Sequence, residues 1–185
     1  MPLIVVYDAN VLYQSVLRDF LLRIAQEGLV QAKWTDRILD ETFTALSRNN
    51  PNLSSIALHR TRTLMNLSIR DVLISGHESL ITRIELPDAN DRHVLAAAIR
   101  CRAQVIVTFN EKDFPQEALN AWGVRAQHPD EFLIELFASD SALPAYFGQQ
   151  ITSSYCNPPW TLTDLSDALQ RSGMPKLAAL LLLSA

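Results

Sequence analysis

The feature that most constrains this chain is its beginning. Leu3 to Tyr7 reads LIVVY, an unbroken apolar run closed by Asp8. A run this short, rich in β-branched residues and without polar alternation, predicts a strand buried on both faces, as in a parallel sheet. Parallel neighbours need long crossovers, so helices are expected next. Val11, Leu12, Val16, Leu17, Phe20, Leu21 and Ile24 keep helical spacing up to Gly28, a natural stop. Thr35 caps a second helix running to about Ser47, with Ile38, Leu39, Phe43 and Leu46 as its stripe and Asn49-Asn50-Pro51 as its breaker. A third helix covers Leu53 to about Ser68, and a short extended piece is expected near Leu80 to Ile84. Asp88 to Arg102 is helical, Val105 to Thr108 is a strand, and a short helix around Gln116 to Ala121 precedes a weak strand near Val124. Pro129 sits in the first turn of a helix continuing through Glu131 to Phe137. This alternation predicts an α/β fold around a central, mainly parallel sheet.

The composition shifts near residue 140, where Pro144, Pro158, Pro159 and Pro175 appear and strand patterns cease. The expected organisation is a core domain over residues 1–138 and a helical extension over 139–185. In the extension, Thr161 and Asp164 have N-cap and N3 spacing for a helix ending near Arg171. The Leu177–Leu183 segment is apolar nearly all round, so it must be buried against its own core, another subunit or a partner. With 48% hydrophobic and 19% charged residues, wholesale disorder is excluded. Cys101 and Cys156 are too few for a disulfide scaffold and fit a reducing compartment. The net charge of −4 excludes a strongly basic overall field, although Arg18, Arg23, Arg37, Arg48, Arg60, Arg62 and Arg92 are available for a local groove. No apolar run approaches the roughly 20 residues that span a bilayer, and the N-terminal run meets a charge too early for a secretory segment. A soluble cytoplasmic protein is expected.

Ligands of parallel α/β sheets bind beyond the carboxyl ends of the strands. Asp8 lies just past the first strand, and Asn110 and Asp113 lie just past Val105–Thr108. Asp8 is equally well placed as a helix N-cap. In the 88–102 helix, Asp91 falls within the stripe of Val94, Leu95 and Ala98. A carboxylate there is costly unless it is paired, bound to metal or eased by the helix dipole. Asp88 fits the role of N-cap, which makes Asp91 the stronger candidate for a site. Glu41 borders the apolar face of the second helix, a position that by itself suits a solvated residue as well as a ligand. Carboxylates without clustered His or Cys suit Mg2+ or Mn2+ rather than zinc. Five glycines and no phosphate-loop pattern argue against a glycine-rich nucleotide cradle. His93 and Cys101 read as ordinary helix residues.

Three pieces occur in order: VVYDANVL (5–12), PDANDRHVLAAAI (87–99) and VIVTFNEKDFP (105–115). Together they resemble the PIN domain, specifically its VapC-like branch of metal-dependent ribonucleases. The resemblance covers about residues 3–137 and implies a three-layer α/β sandwich with an acidic pocket for Mg2+ or Mn2+. It implies Asp8 as first acid, Glu41 as second and Asp91 as third, with Thr108 in the strand-end motif. Asn110 stands where an aspartate is common, which shifts the fourth acidic contribution to Asp113. The resemblance further implies endonucleolytic cleavage of RNA, structured transfer or ribosomal RNA among the targets, a cognate antitoxin protein and a homodimer. The tail resembles the helical extension of some larger VapC-like toxins.

The expected chemistry is metal-assisted phosphodiester hydrolysis. Asp8 and Asp91 bind the principal cation, Glu41 and Asp113 contribute directly or through water, and Thr108 and Asn110 orient water or a carboxylate. Asn110 also leaves open a non-catalytic PIN-fold binding protein with an incomplete metal site. A receiver-type phosphotransfer domain using Asp8 is a third reading, but it gives Asp91 no role.

Overall fold

A computed structural model describes residues 2–184. β1 (Leu3–Tyr7) leads into α1 (Ala9–Tyr13) and α2 (Ser15–Gln26). The single helix expected over this stretch is broken at Gln14, whose backbone is extended at φ −73° and ψ 115°. The chain turns at Gly28, φ +77°, into β2 (Val30–Lys33), a strand that the sequence pattern did not announce. α3 (Asp36–Asn49) and α4 (Ser55–Ser68) follow, capped by Thr35 and Ser54.

The extended piece expected near Leu80 to Ile84 is instead a short helix, α5 (Glu78–Ile81). Its backbone groups are satisfied locally: Leu80 N–H donates to the His77 carbonyl and Arg83 N–H to that of Leu80, both at 3.0 Å. A segment satisfied by its own turns needs no strand partner. The 88–102 helix begins as a 3-10 turn at Ala89–Asp91 and continues as α6 (Arg92–Cys101). β3 (Val105–Val107), a second 3-10 turn (Glu111–Asp113), α7 (Gln116–Asn120) and β4 (Arg125–Gln127) complete the sheet region.

The sheet order is β2-β1-β3-β4, and every pairing is parallel. All of Val5, Val6, Tyr7, Val105, Ile106 and Val107 are buried, so helices cover both faces of the central strands. α2 packs on β2, and α6 packs on β1 and β3. The outer edge of β2 is partly closed by Val72–Ile74, since Trp34 N–H donates to the Val72 carbonyl and Ile74 N–H to that of Trp34. The result is the α/β fold around a parallel sheet expected from the alternation of strands and helices, in the sandwich form that the PIN-domain resemblance implies.

Four helices follow: α8 (Pro129–Phe137), α9 (Leu143–Ser154), α10 (Leu162–Arg171) and α11 (Pro175–Leu183). Thr161 and Asp164 form the capping box that their spacing predicts. Leu177, Ala178 and Leu181 are buried in the chain's own core, while Leu182 and Leu183 are exposed. α9 packs against α2, α10 and α11. A Cβ at Gly148 would stand 3.1 Å from Leu162 and 3.2 Å from Leu181, so glycine permits this close approach. No described helix is long and apolar enough to cross a membrane.

Asp130 of α8 is 3% exposed. Its two carboxylate oxygens accept the backbone N–H groups of Lys176 and Leu177 at 2.9 and 2.8 Å. Met174, at the N-cap of α11, makes no side-chain cap bond, so α8 supplies the cap from outside the helix. Asp130→Ala should cost about 2–4 kcal/mol, as loss of a cap made by a charged acceptor. Thermal denaturation checks this, and a melting temperature within 2 °C of wild type would contradict it.

Candidate active site

Asp8 sits where β1 ends, with only 6% exposure. The two roles open to it in the sequence coexist. Oδ1 caps α1 by accepting the Ala9 N–H at 2.7 Å, while Oδ2 accepts the Thr108 hydroxyl at 2.7 Å and Asn10 Nδ2 at 2.8 Å. Thr108 lies just past β3, the direct neighbour of β1, so parallel pairing brings these residues together. Its hydroxyl also accepts Asn10 Nδ2 at 2.9 Å and the Asn110 N–H at 3.0 Å. Burial pushes the Asp8 carboxyl up, and nearby Glu41 adds to the rise. The Thr108 hydroxyl, the Ala9 N–H and His93 oppose it, without reversing it.

Asp91 is half-buried at the start of α6. Its pKa is pushed up to about 6, first by burial and then by the carboxylates of Asp8, Asp88 and Asp113, with His93 opposing. Asp88 caps the 3-10 turn, accepting the Asn90 N–H at 2.8 Å, which is the structural role its position suggested. Asp113 is half-buried at the end of the second 3-10 turn, and Asn110, exposed, precedes that turn.

Glu41 reaches the group from α3. Its Oε1 accepts His93 Nε2 at 3.0 Å and Arg37 Nε at 3.3 Å. Burial pushes this carboxyl up, but the bonds and charges of His93 and Arg37 outweigh it and hold it below the usual range. The four acids singled out in the sequence thus fall within one electrostatic neighbourhood.

His93 is not the ordinary helix residue that its helical context suggested. It is buried and bonded to an acid on another helix. Asn10, not among the candidates of the sequence, donates to Asp8 and Thr108 and accepts the Phe109 N–H at 3.1 Å. The Asp-Ala-Asn step directly after a buried strand was the available signal for Asn10. Contacts between distant helices leave no such local mark, so His93 had none.

Four of the seven arginines available for a groove are engaged within the chain. Arg18 donates to the Leu12 carbonyl, Arg23 pairs with Asp19, Arg37 with Glu41, and Arg62 with both Asp36 and Asp40. Among the described residues no ion pair involves Arg48, Arg60 or Arg92. Likewise, no three His, Cys, Asp or Glu side chains among them stand as a ready-made ion-binding group. The donor set is nonetheless that of a hard cation: carboxylate oxygens, with Asp91 raised first by burial and then by its acidic neighbours, both of which a divalent cation offsets.

The raised Asp91 fixes a sign for metal-free stability. Its folded pKa of about 6 exceeds the roughly 3.9 of an unfolded aspartate. The folded state therefore binds this proton more tightly, and stability falls as pH rises through about 4 to 6. In chelator at pH 7.5, Asp91→Asn should melt above wild type. Screened by solvent to about 1 kcal/mol, the gain is about 2–4 °C. Melts at pH 4 and 7.5 test this, and a gain equal at both pH values would contradict it.

The PIN-domain family profile matches residues 4–112, and a VapC50 C-terminal domain profile matches residues 129–182. Over 90 residues the chain is 46% identical to "Putative ribonuclease VapC50" of Mycobacterium tuberculosis (strain ATCC 25618 / H37Rv), an overlap of 48% of this chain and 52% of the relative. The chain thus spans about half the length of the curated relative it matches. No solved structure matches it. The PIN profile covers more than half of the 185 residues, including the strands β2, β1 and β3 of the parallel sheet, from Ile4 onward, and three of the four acids. This chain belongs to the PIN-domain family.

Proposed function

We propose that the chain is a metal-dependent endoribonuclease that hydrolyses RNA phosphodiester bonds as the toxin of a VapBC-type toxin–antitoxin pair. The observation that carries this reading is the carboxylate neighbourhood at the strand ends, where buried Asp8 is bonded to Thr108 across the β1–β3 pairing and Asp91 is raised first by burial and then by Asp8, Asp88 and Asp113. The name of the M. tuberculosis relative supports it.

Asp8 and Asp91 would hold Mg2+ or Mn2+, with Glu41 and Asp113 contributing directly or through water. A cation so held supplies Lewis-acid polarisation of a phosphoryl oxygen and a more acidic water. Asp8 is held in place by Ala9, Asn10 and Thr108, so its free lone pairs keep a fixed direction. Thr108 spends its proton on Asp8 and orients the Asn110 backbone. Asn110, neutral where the family commonly carries an acid, lowers the repulsion that an incoming phosphate meets. Beside Asn10 and Glu41 lies a cavity of about 400 Å3, walled by Ala9, Tyr13, Ala45 and Phe109, with room for a base flanking the cleaved bond.

The domain division at residues 138 and 139, a structured RNA target, a cognate antitoxin, homodimerisation and a cytoplasmic setting belong to the same proposal. A non-catalytic binding protein is the second reading, favoured by Asn110, neutral where the family commonly carries an acid. Incubation of total RNA with Mg2+ or Mn2+ tests both readings. Discrete fragments are expected from wild type, with cleavage reduced more than about a hundredfold in Asp8→Asn and Asp91→Asn. Cleavage that survives both substitutions would overturn the assignment. A chain that binds no metal and cleaves nothing would establish the non-catalytic reading.

A further inference from the structure

We propose that His93 is a positioning residue whose bond to Glu41 ties α3 to α6 and sets the second acid against the third. The inference rests on the metal-centre reading above and adds the device that holds its two halves together.

α3 packs on α1 and α4, whereas α6 packs on β1, β3 and α5, so the two helices share no extensive packing of their own. The contact between His93 Nε2 and Glu41 Oε1, at 3.0 Å, bridges them. The two ends differ in kind. The His93 side chain is 1% exposed and fixed by its surroundings, whereas the Glu41 side chain is 41% exposed and free to swing without a partner. Arg37 also bonds Glu41, but it lies one turn earlier on the same helix and moves with it. His93 is two residues beyond Asp91, within the first turn of α6. Fixing Glu41 to His93 therefore fixes it relative to Asp91.

The hydrogen-bonding inventory agrees with this role. Nδ1 of His93 is buried without a partner, so the ring's observed partner lies on the Nε2 side. Both bonds to Glu41 end on Oε1. Among the described residues no donor is placed on Oε2, which is left available to water or a cation. A buried imidazole that holds a carboxylate by one oxygen and leaves the other exposed is a second-layer support of the sort that fixes ligand direction in metal sites.

Two polar substitutions separate reach from mere burial. His93→Gln carries an amide nitrogen near the position of Nε2, whereas the amide of His93→Asn lies near Nδ1 and falls short of Glu41. Mn2+ binding by titration calorimetry on the full chain should weaken about tenfold or more in His93→Asn and stay within about threefold of wild type in His93→Gln. A double-mutant cycle on unfolding with His93→Asn and Glu41→Gln, in chelator, reads the tie without metal. It should show at least about threefold coupling in the unfolding constant. Wild-type-like Mn2+ binding by His93→Asn, equal loss in both His93 variants, or absence of coupling would each overturn the role of His93. A wild-type chain that binds no Mn2+ yet keeps the coupling would overturn the metal-centre reading and, with it, the purpose assigned to the tie.

Discussion

A buried carboxylate at the end of the first strand is the constraint on which this structure depends. Asp8 cannot be left unpaired at that depth, and its partners come from both sides of the sheet junction: the Ala9 N–H from the following helix, the Thr108 hydroxyl from the neighbouring strand and the Asn10 amide between them. The Asp8 N–H also donates to the Val107 carbonyl, so the ladder between β1 and β3 runs straight into the site. The apolar strands fix the position of the acid, and the acid in turn requires a hydroxyl at the end of β3. Sheet registry and site geometry are thus one problem solved once.

The C-terminal helices obey a parallel logic. α11 begins without a cap of its own, and Asp130 on α8 supplies one across 46 residues of sequence. α9 then fits between α2 and the last two helices, with Gly148 easing its close approach to Leu162 and Leu181. Phe137 and Phe147 stack with centroids 5.7 Å apart at the junction of α8 and α9. The extension is joined to the sheet region through buried polar and aromatic contacts.

Much of this was legible in the sequence because it is written in local patterns. The LIVVY run, the Asp88 cap, the Thr161–Asp164 capping box and the half-buried Asp91 all follow from spacing along one element. β2 was not legible because VQAK buries only Val30 and Ala32 and carries no run of β-branched residues; its place is set by pairing with β1. The break at Gln14 was hidden by apolar residues that keep helical spacing on both sides of it. The stretch 78–86 misled because its apolar residues are half-buried from a short helix (Leu80, Ile81) or buried from the loop after it (Ile84, Leu86), with backbone bonds made locally. His93 escaped for a different reason. Helical periodicity tells which side of α6 is inward, but it carries no information about which acid on α3 stands there.

The engagement of the arginines has a consequence for the thermodynamics of any polyanion that binds here. Each phosphate neutralised by a protein cation releases condensed counterions, with a contribution of about −0.7 to the logarithmic salt slope on single strands. Arg18, Arg23, Arg37 and Arg62 are occupied by carbonyls and carboxylates of the chain itself. Those four would then add less to the salt slope than freely solvated arginines would. On the proposed function, discrimination among nucleic acids would rest more on fit: on shape, on stacking, and on whether the strand can present a phosphate at the end of β1.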